Sequence, residues 1–183
     1  EELVERYAII ADEEFARGLA GEMGLEFYSE KIDALSMRVS GGPSLEQLCR
    51  RERLAFYERA TEKLGAARLA TAHTRTDQAE TVLMRVMRGT SLRGLAAMAF
   101  VSGNIVRPLL GAGRDEVREC VARRNLAFRE DSTNSDENYF RNRVRLSLLP
   151  LLRERFNPLV EERLSSLAEL ARTDSVRTQS AIL

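Results

Sequence analysis

The sequence has few cysteines, no long apolar run and no excess of charge of either sign. Its two cysteines, Cys49 and Cys120, have no close partner in the sequence, so we expect reduced thiols and a cytoplasmic protein. No stretch approaches the roughly 18 apolar residues of a membrane-spanning helix, and we expect neither a membrane protein nor a signal peptide. A formal net charge of zero argues against a uniformly basic nucleic-acid binder.

Lysine is also scarce. Of the 28 basic residues, only Lys31 and Lys63 are lysines, and the other 26 are arginines. A GC-rich genome is enough to explain this bias. Arginine nevertheless differs from lysine in binding phosphate and carboxylate groups through two parallel hydrogen bonds. Any cluster of basic residues in this chain is therefore suited to phosphate, and the positions of the arginines decide whether such a cluster exists.

The length of 183 residues suits one domain with a hydrophobic core, with or without a small extra segment. Hydrophobic spacing predicts these elements in chain order: a helix over 12–23, a strand at Leu25–Tyr28, a helix from Leu45 to about Leu64, a strand end at Arg68–Ala72, a last strand within Asn104–Leu110, and helices over 114–124, 148–156 and 159–173. The alternation of strands and helices favours an α/β protein with a partial parallel sheet flanked by helices. A small all-helical C-terminal segment follows.

The stretch Ala70–Gly89 contains the clearest functional candidate, the point where a predicted strand turns into a helix. Apolar residues recur there at helical spacing, namely Ala79, Val82, Leu83 and Val86. Gly89 closes the helix, and the turn before it contains His73, the only histidine of the chain. Because α/β proteins bind ligands at the carboxyl ends of their strands, this turn is a candidate ligand site.

Two carboxylates, Asp77 and Glu80, stand three residues apart at the start of this helix. One interpretation is structural: Asp77 caps the helix, Glu80 is the capping-box acid, and the positive end of the helix dipole favours both. The other is that both carboxylates face the ligand crevice and hold a divalent cation or a positively charged substrate. His73 is open in the same way, as a hydrogen-bonded turn residue or as a ligand contact. The local pattern does not decide between these interpretations.

The segment Ser40–Ser44 is similar to the phosphate loop S-G-G-x-D-S of ATP pyrophosphatases but lacks the aspartate. No apolar strand precedes it. We therefore predict a flexible loop that ends in Ser44 as the N-cap of the next helix, with Gln47 completing a capping box.

A second candidate site lies nearer the C-terminal end, where the polar loop Glu130–Asp136 is followed by Tyr139–Arg145. The latter segment combines three arginines with two aromatic residues. On a helix, Arg141 and Arg145 share one face, and guanidinium groups at a helix start are suited to phosphate. A solvated helix beside an acidic loop explains the same pattern, so both interpretations stay open.

Three stretches together resemble tRNA(Ile)-lysidine synthetases, which are N-type ATP pyrophosphatases of the PP-loop superfamily. Ala70–Gly89 resembles the family signature A-T-A-H-x-x-x-D-Q-x-E-T…R-G, and Ser44–Phe56 resembles the helix S-x-E-x-x-x-R-x-x-R. Glu130–Asn134 with Arg141–Arg145 resembles the segment E-D-x-(S/T)-N…R-N-x-(I/V)-R. The three matches occur in the family's order.

The resemblance implies an adenine nucleotide alpha hydrolase-like fold and a two-step reaction. ATP adenylates the wobble cytidine of a tRNA(Ile) with a CAU anticodon, and the amine of lysine then displaces AMP to leave lysidine. The implied cofactors are ATP and Mg²⁺, and the implied partners are this tRNA and lysine; a homodimer is left open. Residues 1–130 would form the nucleotide-binding domain without its N-terminal part, and residues 131–183 a polar loop and a helical segment that contacts tRNA.

The family's functional residues are carried over onto the matching positions. The implied catalytic residues are Arg53, Asp77 and Glu80. The two acids would lie near lysine, Mg²⁺ or both, and the arginine would stabilise negative charge. The implied ATP- and substrate-binding residues are His73, Gln78, Arg88 and Gly89. The implied tRNA-binding residues are Asp131, Asn134, Arg141, Asn142, Arg143 and Arg145.

The sequence departs from the family in three places. Thr76 and Leu54 stand where an acid or amide and a tyrosine are common. The S-G-G-x-D-S loop with its strand is missing, because the chain begins too late to contain it, and we expect the chain alone to be inactive. Two other functions stay open. A non-catalytic RNA-binding remnant is favoured by the missing loop but disfavoured by the retained Asp77, Glu80 and Arg53. A tRNA thiolase is disfavoured because Cys49 and Cys120 lie on predicted helices far from the turn.

Overall fold

The computed structural model describes residues 13–33, 37, 42–43, 45–128 and 136–180, except for the side chains of residues 45, 46 and 176–180. Its α-helices are α1 (Glu13–Glu22), α2 (Leu45–Lys63), α3 (Arg75–Arg88), α4 (Leu92–Leu95), α5 (Arg114–Arg123), α6 (Phe140–Arg143), α7 (Leu149–Arg155) and α8 (Val160–Ser180). Its strands are β1 (Leu69–Ala70), β2 (Val101–Ser102) and β3 (Ile105–Val106). Within these ranges, no helix combines the length and the hydrophobicity of a transmembrane segment.

Backbone contacts group the chain into two compact units. The described part of the first unit ends at Leu69, and the second unit contains Ala70–Phe128 and residues 136–180. The C-terminal helices belong to the second unit because α8 packs along α3 and α4. The compact units separate between Leu69 and Ala70. The division that we predicted at residue 130 separates a nucleotide-binding part from a tRNA-contacting part, and it stays a prediction.

In the first unit, α1 and α2 form where the hydrophobic spacing predicted helices. The strand predicted at Leu25–Tyr28 is wrong, because this segment lies in neither a helix nor a strand. Side chains fix this segment on α2. The ring of Tyr28 stacks on Phe56 with 5.6 Å between the ring centroids, and Arg59 Nε donates to Glu30 Oε2 at 3.1 Å. The hydrogen bonds from Arg59 and from Tyr28 hold the pKa of Glu30 at about 2.

The sheet has the strand order β1-β3-β2, and the α/β class predicted from the sequence is confirmed. β2, a strand that we did not predict, pairs antiparallel with β3, with Val101 opposite Val106, so this part of the sheet is a hairpin and departs from the parallel sheet that we predicted. Gly103 forms the turn with a φ of 60°, a conformation that glycine adopts without strain. β1 confirms the strand end predicted before the turn, and the N–H of Thr71 just beyond it donates to Val106 O at 2.9 Å.

The core of the second unit includes residues of both α3 and α8. Ala79 and Val82 on α3 and Ala168 on α8 are fully buried. The helical face predicted on α3 is buried only over its first part, because Val86 is 53% exposed. α3 then ends at Arg88, where Gly89 follows as predicted with a φ of 74° and donates its N–H to Val86 O at 3.1 Å.

One turn of π-helix, Val144–Leu148, connects α6 to α7. Pro150 lies in the first turn of α7 and has no N–H to donate. The N–H of Leu149 bonds to Val144 O, five residues back, as in a π-helix. Such turns are frequent at functional sites, and this one contains Arg145.

Candidate active site

Helix α3 begins at the predicted turn, but its N-cap is Thr74 and not Asp77. The Thr74 hydroxyl oxygen accepts a hydrogen bond from the Asp77 N–H at 3.4 Å, and Asp77 Oδ2 accepts one from the Thr74 N–H at 2.9 Å. This reciprocal pair is a capping box. The structural interpretation made from the sequence is therefore wrong in its residues, because Asp77 is the box acid and Glu80 takes no part in the box.

The side chain of Glu80 is fully buried in the second unit, at 0% exposure. Its Oε1 accepts a hydrogen bond from Arg145 Nε at 2.6 Å. Its Oε2 accepts from Arg141 Nε at 2.7 Å and from Arg145 Nη2 at 3.1 Å. A buried carboxylate requires partners of this kind, because removing an unpaired charge from water is costly.

Asp77 is bound by the same two arginines. Its Oδ1 accepts from Arg141 Nη2 at 2.7 Å and from Arg145 Nη2 at 3.3 Å. Each arginine thus bridges both acids, and we call these four residues (Asp77, Glu80, Arg141 and Arg145) the acid–arginine cluster. Its two negative and two positive charges balance, which allows it to be largely removed from water.

Two members of the cluster, Asp77 and Arg145, have pKa values shifted from their ordinary values. Burial raises the pKa of Asp77, but the hydrogen bond from the Thr74 N–H and the nearby guanidinium charges outweigh it, and the pKa lies below its ordinary value. Burial likewise lowers the pKa of Arg145, but the hydrogen bond to Glu80 outweighs it, and the pKa is raised. Both shifts favour the charged forms at neutral pH.

We predict that Asp77 contributes to loss of stability in acid. Its pKa in the folded protein lies below the ordinary aspartate value of about 4. The unfolded chain therefore takes up the proton first, so the contribution is complete above about pH 4 and is lost as the pH falls through the folded pKa.

The measurement is the free energy of urea unfolding as a function of pH. Asp77→Asn should show a shallower decline than the wild-type protein between about pH 5 and pH 3. Asp115→Asn removes an exposed acid from the first turn of α5 and should keep the wild-type slope. Identical slopes in the Asp77 variant and the wild type would contradict the assignment.

Two residues of the predicted nucleotide crevice contact the protein itself. His73 Nδ1 lies 2.9 Å from the hydroxyl oxygen of Thr71. Gln78 is 2% exposed, and its Nε2 donates to Met98 O at 2.8 Å while its Oε1 accepts from Met98 N at 2.9 Å. This double pairing gives Gln78 a structural role, and the predicted contacts of both residues with a nucleotide stay predictions.

The predicted RNA- and substrate-binding arginines Arg88 and Arg143 meet at one aromatic ring. Their Cζ atoms lie 5.1 Å and 5.6 Å from the centroid of Phe140. Both arginines are exposed, so this arginine–aromatic group is accessible to a ligand. Asn142, in contrast, is buried and donates its Nδ2 hydrogen to Asp136 O at 2.9 Å.

The remaining predicted site residues lie in the first compact unit or outside the described residues. Arg53 is an exposed residue of α2 and belongs to the first compact unit. Asp131 and Asn134 lie outside the described residues, as does most of Ser40–Ser44. Within the described ranges, no group of three or more histidine, cysteine or acidic residues could hold a metal ion.

Sequence reasoning missed Thr74 and the pairing of acids with arginines. The spacing T-x-x-D at Thr74–Asp77 resembles a capping box, so the pattern could have identified the true cap. The pairing joins Glu80 to Arg141, 61 positions further along the chain. No local pattern contains that information.

Comparison with known proteins places the chain in a family. A family model described as a PP-loop domain matches residues 6–152. The chain is 41% identical over 165 residues to the tRNA(Ile)-lysidine synthase of Solibacter usitatus. The corresponding values are 39% over 158 residues for a protein of that name from Thermus thermophilus and 40% over 168 residues for that from Symbiobacterium thermophilum.

These alignments cover 90%, 86% and 90% of the chain but 36%, 31% and 35% of the respective relatives. The chain therefore spans about a third of the length of the curated relatives it matches. The family model, in contrast, extends over most of the chain, and so the chain belongs to the family of PP-loop domains.

Proposed function

We propose that this chain acts in the ATP-dependent modification of tRNA(Ile), in which lysine is joined to the wobble cytidine to form lysidine. The single observation that carries the proposal is the position of Asp77 and Glu80, the two acids of the family signature, at a strand-to-helix turn of a PP-loop domain. The names of the similar proteins support it, since they are tRNA(Ile)-lysidine synthases.

In the proposed reaction the cytidine attacks the α-phosphate of ATP and releases pyrophosphate, and the amine of lysine, once it has lost a proton, then displaces AMP. Asp77 and Glu80 bind the cationic lysine, because hydrogen bonds between a carboxylate and an ammonium group are charge-assisted and hence strong. Arg53 stabilises the negative charge of the reacting phosphate. His73 and Gln78 line the nucleotide crevice, with Arg88 and Gly89 at the other end of α3.

The arginines of the acid–arginine cluster control access to the acids. A lysine ammonium group cannot bind Asp77 and Glu80 while Arg141 and Arg145 occupy their oxygens. A guanidinium group binds phosphate in the same bidentate manner as carboxylate. In the proposed sequence of events, tRNA phosphates draw the two arginines away, and the acids become free for lysine only when the tRNA is bound.

Mg²⁺ enters the proposal as the counter-ion of ATP, since it prefers carboxylate and phosphate oxygens. Asp77 and Glu80 are the carboxylates that would hold it. In the structure, however, every oxygen of the two acids accepts a hydrogen bond from an arginine or from Thr74. The acids therefore do not fit a metal ion while the two arginines are bound to them. We assign no step of the reaction to the metal.

The proposed function is tested by AMP release from the intact gene product, supplied with ATP, Mg²⁺, lysine and tRNA(Ile) with a CAU anticodon. We expect AMP release that requires both the tRNA and lysine. Omitting lysine should reduce it to the background rate. Release that needs tRNA but is indifferent to lysine would refute lysidine formation and indicate another PP-loop activity.

We predict that Arg143→Ala weakens tRNA binding. Arg143 is exposed, and its guanidinium group lies over the Phe140 ring, where it can reach an RNA phosphate. Loss of one phosphate contact should lower the slope of log affinity against log salt by about one unit. The measurement is the tRNA dissociation constant at several salt concentrations.

The matched control is Arg163→Ala, which removes an exposed arginine of α8 in the same unit. This variant should retain the wild-type affinity and salt slope. If Arg143→Ala behaves in the same way, Arg143 lies on a solvated face and does not contact RNA.

A further inference from the structure

Thr76, the residue before Asp77, connects the first turns of three helices in the second unit. It lies in the first turn of α3. Its hydroxyl donates to Glu161 Oε2, in the first turn of α8, at 2.7 Å. The same hydroxyl oxygen accepts from the N–H of Arg114, the first residue of α5, at 3.2 Å. Thr76 and Glu161 are each only 6% exposed, so this connection is buried.

Arg75 strengthens the same junction. Its N–H donates to Ala112 O at 2.8 Å, and its Nη1 donates to Gly111 O at 3.1 Å. Its Nη2 lies 3.2 Å from Glu116 Oε2 on α5 and 3.0 Å from Glu162 Oε1 on α8. The backbone at the start of α3 is therefore held against both neighbouring helices.

Glu161 is held in place by a second partner. Nη2 of Arg153 on α7 donates to Oε1 of Glu161, and Oε2 is the oxygen that binds Thr76. Space at the junction is also limited, because a Cβ atom added at Gly113 would stand 3.0 Å from Arg75 Nη2. The acceptor of the Thr76 hydroxyl is thus fixed independently of Thr76.

We propose that Thr76 and Glu161 are positioning residues that hold Asp77 in place while lysine binds. This inference rests on the proposed function, in which the two arginines of the cluster leave the acids when tRNA binds. Of the side-chain contacts described above, Asp77 then keeps those with Thr74. Its position therefore depends on the backbone at the start of α3, which Thr76 and Glu161 fix.

Neither residue touches a substrate in this scheme, and both act through Asp77. A displacement of about 1 Å at a catalytic group can lower a rate roughly 100-fold, so a small shift at the helix start is enough to affect the reaction. Lysine binding should respond to the shift, whereas ATP binding should change little, because Gln78 is held by its own two hydrogen bonds to Met98 and His73 lies before the helix, beside Thr71.

The test is Thr76→Val in the intact protein, which keeps the shape of the side chain and removes both hydrogen bonds. The KM for lysine should rise about 10-fold while the KM for ATP stays unchanged. Thr76→Ser restores the hydroxyl and should return the KM for lysine to within about twofold of wild type. Thr61→Val is the matched control, since it removes a buried hydroxyl of the first unit, bonded to Tyr57 O, and should not change the KM for lysine.

Glu161→Asp provides the same test if Thr76→Val does not fold. It keeps the charge that faces Arg153 but shortens the side chain by one methylene, so the bond to Thr76 is lost and the KM for lysine should rise. A lower melting temperature with an unchanged KM for lysine would show a merely structural role and overturn the proposal.

Failure of the proposed function would be recognised separately, because the wild-type protein itself would then release no AMP in response to lysine. In that case, crystal structures of Thr76→Val and of the wild type show whether Thr76 holds Asp77 in place. Displacement of the Asp77 backbone at the start of α3 relative to its wild-type position, in the variant only, would support the proposal. An unmoved backbone would overturn it.

Discussion

Replacing Glu80 with glutamine is expected to lower the free energy of unfolding by about 3 kcal/mol. The reason is that Glu80 is fully buried and neutralises Arg145, whose side chain is 16% exposed. Removing the charge of Glu80 leaves two arginines facing the single negative charge of Asp77, which costs more than losing an exposed ion pair. In a chain of this size the melting temperature should fall by roughly 6–12 °C.

The measurement is thermal and urea unfolding of Glu80→Gln beside a matched control. Glu154→Gln removes the charge of an exposed glutamate, 3.8 Å from Arg155, in the same compact unit. Such a surface change should alter stability by less than about 0.5 kcal/mol. Equal stabilities of the two variants would show that the acid–arginine cluster does not stabilise the fold as described.

Asp77→Asn is expected to reduce lysine-dependent AMP release roughly 100-fold. Asparagine cannot supply the negative charge that a lysine ammonium group requires. Its side-chain oxygen can still accept a hydrogen bond from the Thr74 N–H, so the start of α3 should persist. Some stability should be lost with the charge that faces Arg141 and Arg145, but the folded protein should persist, and single-turnover AMP release with saturating tRNA measures the loss in the reaction.

Asp115→Asn is the control for this experiment, because Asp115 also lies in the first turn of a helix of the second unit but is 79% exposed. It should retain the wild-type rate. A normal rate in Asp77→Asn would leave Asp77 with a capping role alone, which is the structural interpretation that its position in the capping box permits.

The sequence predicted the strand end and α3 well, because both depend on short-range patterns. Ala79 and Val82 mark the buried face, and Gly89 marks the end where a positive φ is required. The choice of cap was wrong because two overlapping patterns, T-x-x-D from Thr74 and D-x-x-E from Asp77, fit the same turn. Only the backbone geometry distinguishes them.

Features that depend on distant residues could not be predicted from local patterns. Leu25–Tyr28 has a strand-like composition, but a strand requires a partner for its backbone groups. No residue of this segment belongs to a sheet. The hairpin of β2 with β3 was missed because β2 consists of the two exposed residues Val101 and Ser102. The acid–arginine cluster was missed because Arg141 and Arg145 are far from the acids in sequence.

The most direct test of the central claim is the lysine content of tRNA after the reaction. The intact protein is incubated with ATP, Mg²⁺, labelled lysine and tRNA(Ile) with a CAU anticodon, and the tRNA nucleosides are separated and identified by mass spectrometry. We predict one labelled lysine on the wobble cytidine with the wild-type protein, and roughly 100-fold slower labelling with Asp77→Asn. Consumption of ATP with no lysine in the tRNA of the wild-type reaction would contradict the claim.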